Sequence, residues 1–95
     1  MPVSNEQIST KSAAFIAIKS LAYISQSPEE ISKFIALTGI ESSDIIRLKE
    51  NLKFLGGVLD FVTSDESLLL AFCSSEQISP EGVEAARIQL LGMDQ

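Results

Sequence analysis

Apolar positions recur along this chain at helical spacing, and the same arrangement occurs twice, 38 positions apart. Leu21, Tyr23 and Ile24 align with Leu59, Phe61 and Val62, and Ile31, Phe34, Ile40 and Ile45 fall on Leu69, Phe72, Ile78 and Val83. The polar turn positions coincide too, with Ser27 opposite Asp65. Each copy reads as the end of one helix, a capped turn, a second helix, another turn and the start of a third. No stretch alternates long enough with period two to argue for a strand. The pattern predicts an all-α fold, a compact bundle of six short helices. It would consist of two three-helix halves, 13–51 and 52–92, related by an approximate two-fold. Two copies are too few for a stacked solenoid with capping repeats. Residues 1–4 read as a flexible tail and 5–95 as one domain.

Local signals place the helix ends. Ser4-Asn5-Glu6-Gln7 matches a capping box and predicts a first helix over about residues 5–26, with Ser9-Thr10 as a later start. Ser27-Pro28-Glu29-Glu30 opens the second: serine caps, proline takes the position where a missing N–H costs nothing, and glutamate closes the box. Gly39 ends it. Ser42-Ser43-Asp44 opens a short third helix, interrupted at Asn51, and the fourth runs from Leu52 to Thr63. Ser64-Asp65-Glu66 caps a fifth helix reaching about Ser75, and Ser79-Pro80-Glu81 opens a sixth that ends near Gly92.

The predicted core comprises Leu21, Phe34, Ile40, Leu59, Phe61, Leu69, Phe72, Ile78 and Ile88. Gly56-Gly57 inside a helix costs about 1 kcal/mol per glycine relative to alanine. Close approach to Ala13, Ala14 or Ala17 of the first helix would offset that, and a kink is the alternative. The fifth helix is apolar nearly all round: with Leu69 facing inward, Leu68 and Leu70 lie about 100° to either side. Their counterparts at offset 38 are the polar Glu30 and Ser32. Such a helix is either central to the bundle or offers a partner surface. Leu70 is expected inside, and Leu68 is the preferred dimer or partner contact.

Composition narrows the setting. The 95 residues, 45 % of them hydrophobic, suffice for a modest core. No apolar stretch exceeds six residues, far short of the roughly 20 that a membrane helix needs. The N-terminus has neither a basic region nor an apolar signal core, and the single cysteine, Cys73, forms no internal disulfide. A cytoplasmic protein is expected. Residues 1–58 balance six cations against six acids, whereas residues 59–95 carry Arg87 alone against seven acids. The whole net charge of −6 thus lies on the second repeat and its tail. That field keeps a small protein soluble, repels phosphate and would steer a basic partner.

Candidate chemistry is sparse. Without histidine, the commonest general base, the familiar nucleophile triads and most zinc sites are gone. Cys73 reads as a small core side chain. Gly56-Gly57 fits no phosphate-binding fingerprint, and Glu29/Glu30 and Asp65/Glu66 suit helix dipoles better than acid–base work. Asp60, set between Leu59 and Phe61, is expected to cap a turn or pair with a cation. A carboxylate-based enzyme is the weakest reading. A helix–turn–helix nucleic-acid binder is another, but its second recognition helix would present Glu81 and Glu84 against Arg87. The residues therefore predict no catalytic, cofactor-binding or metal position. They favour a non-enzymatic protein–protein interaction module or small homo-oligomer, away from membranes and nucleic acid.

Phe34-Ile35-Ala36-Leu37-Thr38-Gly39-Ile40 and Phe54-Leu55-Gly56-Gly57-Val58-Leu59-Asp60-Phe61, leading into Ser64-Asp65-Glu66-Ser67-Leu68-Leu69-Leu70-Ala71-Phe72-Cys73, resemble a small family of uncharacterised alphaproteobacterial proteins, a domain of unknown function. The likeness covers roughly residues 13–92. It implies a compact bacterial, cytoplasmic protein and carries over no site residues.

Overall fold

In the computed structural model, which describes residues 8–44, 47 and 51–92, five α-helices each start at a side chain that accepts from the helix's own first turn. Ser9 Oγ accepts from the Ser12 N–H to open α1 (Thr10–Ser25), and Ser27 Oγ accepts from the Glu30 N–H to open α2 (Pro28–Thr38). A 3-10 turn follows at Ser42–Asp44. Asn51 caps α3 (Leu52–Thr63), Asp65 caps α4 (Glu66–Glu76), and Ser79 caps α5 (Pro80–Leu91). Each cap satisfies a backbone donor that the helix itself leaves without a partner.

Two helices end in the left-handed conformation, α2 at Gly39 (φ 74°) and α4 at Gln77 (φ 59°). Glycine takes that shape freely, while glutamine does so at a cost of about 1 kcal/mol. The boundaries also keep register at a spacing of 38 positions. Pro28–Thr38 shifts onto Glu66–Glu76, the end of α1 at Ser25 onto the end of α3 at Thr63, and Ser42 onto Pro80.

The bundle is all-α. Its centre is a three-helix packing in which α5 lies along α3 and α1, and α1 along α3, while α2 and α4 flank it. Small side chains make that packing close: Ala13 and Ala17 of α1 and Ala86 of α5 are wholly buried. They share one core cluster with Leu55, Leu59, Phe72, Cys73, Val83 and Leu90. A second cluster gathers Leu21, Ile24, Val58, Val62 and Leu68 around Phe34. Ser20 is buried as well, and its hydroxyl donates to the Ile16 carbonyl at 3.0 Å, so it brings no unpaired group into the core.

Several expectations need correcting. The first helix takes the later of its two expected starts, with Ser9 as cap and Thr10 as its first residue, and the Ser4–Gln7 box lies outside the described residues. The third predicted helix shows its opening 3-10 turn, and most of its remainder also lies outside them. Asn51 caps a helix rather than interrupting one. At Ser27 the box is half made, because the Ser27 N–H donates to the Ile24 carbonyl and leaves Glu30 to face Lys33 at 3.4 Å. Ile88 is 57 % exposed. The inward face of α5 is Val83, Ala86 and Leu90, and Ile88 sits about 200° round from Ala86. Gly56 admits a close neighbour, but from α5 rather than α1: a Cβ there would come 2.6 Å from Leu91 Cδ2. Gly57 has nothing within 4 Å of that position.

Candidate functional site

Leu68 and Leu70, the two predicted contact residues, lie on opposite sides of the surface boundary. Leu68 is buried in the cluster around Phe34 and Leu70 is half exposed, which reverses the expected order. Leu68 faces inward because α4 turns it toward Leu21, Ile24, Val58 and Val62, and a turn of about 200° then carries Leu70 outward. Phe15, Leu37 and Ile88 also stand at the surface, Leu37 at 75 % exposure.

Two clefts lie beside this core. The first, about 410 Å³, opens where α2 and α4 begin. It contains the caps Ser27 and Asp65 with Glu30, and Tyr23 and Leu68 supply apolar wall. Asp65 is committed there as acceptor for the Leu68 N–H. Glu30 Oε1 is screened from water and accepts no hydrogen bond, with Lys33 Nζ 3.4 Å away as its counter-charge.

The second cleft, about 340 Å³, runs between the end of α2 and the outer face of α3. Phe34, Leu37 and Phe61 make it apolar, Thr38 and Gly57 form its sides, and Asp60 brings in a carboxylate. Nothing in the sequence pointed to this cleft beyond the glycine pair and the isolated acid. Asp60 Oδ1 accepts from Arg87 at 3.4 Å, whereas Arg87 holds Glu84 through two shorter bonds of 3.2 and 2.5 Å. The Arg87 hydrogen bonds draw the Glu84 carboxyl below its usual range, and Glu84 in turn raises the guanidinium. Asp60 thus lies at the edge of an ion pair whose centre is elsewhere.

Cys73 is buried, and its burial, with Glu81 nearby, pushes the thiol above its ordinary value. A thiol held protonated is a poor nucleophile. Among the described residues no group of three His, Cys, Asp or Glu side chains could hold a metal ion, and no helix is long and apolar enough to cross a membrane. Lys19, Lys33, Arg47 and Arg87 each face a carboxylate, at Glu76, Glu30, Asp44 and Glu84 respectively.

No curated protein and no solved structure matches the chain. The family model described as a protein of unknown function, DUF3572, matches residues 10–93. With the match running from the first residue of α1 to just beyond α5, the chain belongs to the DUF3572 family.

Proposed function

We propose that this protein is a non-enzymatic protein–protein interaction module of the cytoplasm. The observation that carries the reading is the apolar surface left uncovered by the finished bundle: Phe15, Leu37, Leu70 and Ile88 are each at least half exposed. Leu37 also borders a concavity, and an exposed apolar side chain beside a cleft with a few polar groups is the kind of surface that takes a partner. The ion pairing of Lys19, Lys33, Arg47 and Arg87 and the net charge of −6 weigh against a nucleic-acid partner.

Affinity capture on the full chain from its source lysate, set beside Leu37→Ser and Phe15→Ser, tests this reading. A specific protein lost with either variant is the expected result. Capture of nothing, together with a monomer in sedimentation, would remove it.

We infer further that the fold is a doubled three-helix unit, with halves 13–51 and 52–92 related by an approximate two-fold. The shared helix boundaries support this, and so do the aromatic pairs. Tyr23 meets Phe72 edge-on at 5.6 Å, and Phe61 meets Phe34 edge-on at 5.3 Å. A shift of 38 positions exchanges one pair for the other. Superposing 21–45 on 59–83 in an experimental structure tests it. A mismatch beyond ordinary helix-packing scatter would overturn the duplication.

A further inference from the structure

The cleft between α2 and α3 has a counterpart between α1 and α4, and there the corresponding positions are filled. Lys19 on α1 donates to Glu76 at the end of α4 at 2.9 Å, and its ammonium lies 5.3 Å from the Phe15 ring centroid. Shifted by 38 positions, Lys19 becomes Gly57 and Glu76 becomes Thr38, the two side walls of the cleft. Tyr23 and Phe72, at the corresponding aromatic contact, become Phe61 and Phe34, which also line it. The α1–α4 pair thus carries a lysine stem and a carboxylate across it. The other has a glycine and a threonine there, with open space where a Gly57 side chain would begin.

We infer that this cleft receives a lysine or arginine side chain from a helix of a partner protein, in the position corresponding to that of Lys19 between α1 and α4. The inference rests on the interaction-module reading above and names its site and the chemistry of its occupant. Leu37 and Phe61 offer an apolar wall to an aliphatic stem, and such stems bury well while their charged heads stay wet. The head would find two sources of negative potential. Asp60 is one: its side chain is 64 % exposed and holds Arg87 only at 3.4 Å. The other is the end of α2, which carries no basic residue in its last turn to offset the helix dipole. The acidic surplus of residues 59–95 adds long-range attraction of the same sign.

The probe is a pair of blocked helical peptides of about 15 residues, Ala/Leu-rich on one face. They are identical except for one central lysine replaced by glutamate. Binding is followed by fluorescence anisotropy and by amide chemical shifts of the full chain. The lysine peptide should bind and shift the amides of Leu37, Thr38, Gly57 and Phe61, and the glutamate peptide should not. Gly57→Lys combined with Thr38→Glu installs the Lys19–Glu76 arrangement between α2 and α3. It should keep or raise Tm and weaken the lysine peptide by at least about tenfold. Leu37→Lys, at an exposed position on the cleft wall, blocks the same cleft independently by setting a like charge against the peptide lysine. Asp60→Asn should weaken binding a few-fold and lower its salt sensitivity.

Equal binding of the two peptides overturns the inference. Shifts mapping elsewhere, affinity untouched by both blocking variants, or no binding at about 1 mM peptide do the same. A homodimer that Gly57→Lys dissociates assigns the cleft to a second copy of the chain. A lysate partner captured equally by the blocked variants leaves the interaction-module reading standing and removes the cleft as its site.

Discussion

The rings of Tyr23 and Phe72 meet edge-on, 5.6 Å between centroids and 64° between planes, and so join α1 to α4 across 49 residues of chain. Phe61 and Phe34 make the same kind of contact between α3 and α2, at 5.3 Å and 73°. Phe72 and Phe34 are wholly buried, and their partner rings, Tyr23 and Phe61, are half-buried. The two flanking helices are therefore held to the central packing by matched aromatic anchors.

Phe72→Ala and Phe34→Ala should each destabilise the fold by about 3–5 kcal/mol, the cost of emptying an aromatic core site together with its edge contact. That is a large part of a small domain's stability. Denaturant unfolding of both variants checks it, and near-equal losses are the expected outcome. An unchanged midpoint for either would place that ring outside the core.

The glycine pair in α3 separates into two roles. Gly57→Ala should stabilise by about 0.5–1 kcal/mol, since the new methyl meets open space and alanine suits a helix better. Gly56→Ala gains the same propensity but drives a methyl to 2.6 Å from Leu91 Cδ2 and 3.3 Å from Leu90 Cβ. Leu91 can turn aside and Leu90, buried in the core, cannot. Overpacking of this sort costs about 1–3 kcal/mol, so Gly56→Ala should melt well below Gly57→Ala.

Those glycines mark where sequence reading reaches its limit. The helix ends were legible because capping is local. Ser27, Asp65 and Ser79 each sit within three residues of the N–H they accept, and Pro28, Gly39 and Pro80 punctuate the same turns. Which helix would approach Gly56 was not legible, because that depends on α5 returning along α3 from more than 30 residues downstream. The phase of α4 was hidden for another reason. Leu68, Leu69 and Leu70 are consecutive and equally apolar, so periodicity cannot choose the inward one. The choice falls to Leu21, Ile24 and Val62 on other helices. The α2–α3 cleft was invisible as well, since a cavity is the product of two helices and a missing side chain.

Glu84 and Arg87 supply a pH dependence with a definite sign. Arg87 holds the Glu84 carboxyl below its unfolded value, so the folded chain binds that proton more weakly. The pair stabilises the fold above the ordinary glutamate range, near pH 4.3. Its contribution is lost as pH falls through the lowered folded value. Glu84 is nearly half exposed, so the effect should stay within about 1 kcal/mol. Arg87→Ala should flatten this part of the stability–pH curve, read from Tm between about pH 6 and pH 3.

Cys73 should resist thiol reagents in the native state. Burial raises its pKa and closes off the sulfur, so labelling at about pH 8 has to wait for the helix to open. Alkylation should be slow in buffer and immediate in denaturant. Equal rates in the two would mean that α4 opens freely and the core cluster around Phe72 is loose.

Leu68 and Leu70 give the most direct separation of stability from association. Leu68 belongs to the cluster around Phe34 and is 7 % exposed, so Leu68→Ala should cost about 2–4 kcal/mol. Leu70 is 50 % exposed, and Leu70→Ser should change stability by no more than about 0.5 kcal/mol. The same substitution removes a large apolar side chain from the surface. If α4 contributes to self-association, Leu70→Ser should sediment as a smaller species than the parent chain while unfolding at the same denaturant concentration. Leu68→Ala should show the opposite pair of results, a lowered midpoint with its assembly state intact below the transition. A stability loss at Leu70 matching that at Leu68 would mean that α4 is enclosed on both sides, and would take Leu70 off the surface as a contact residue.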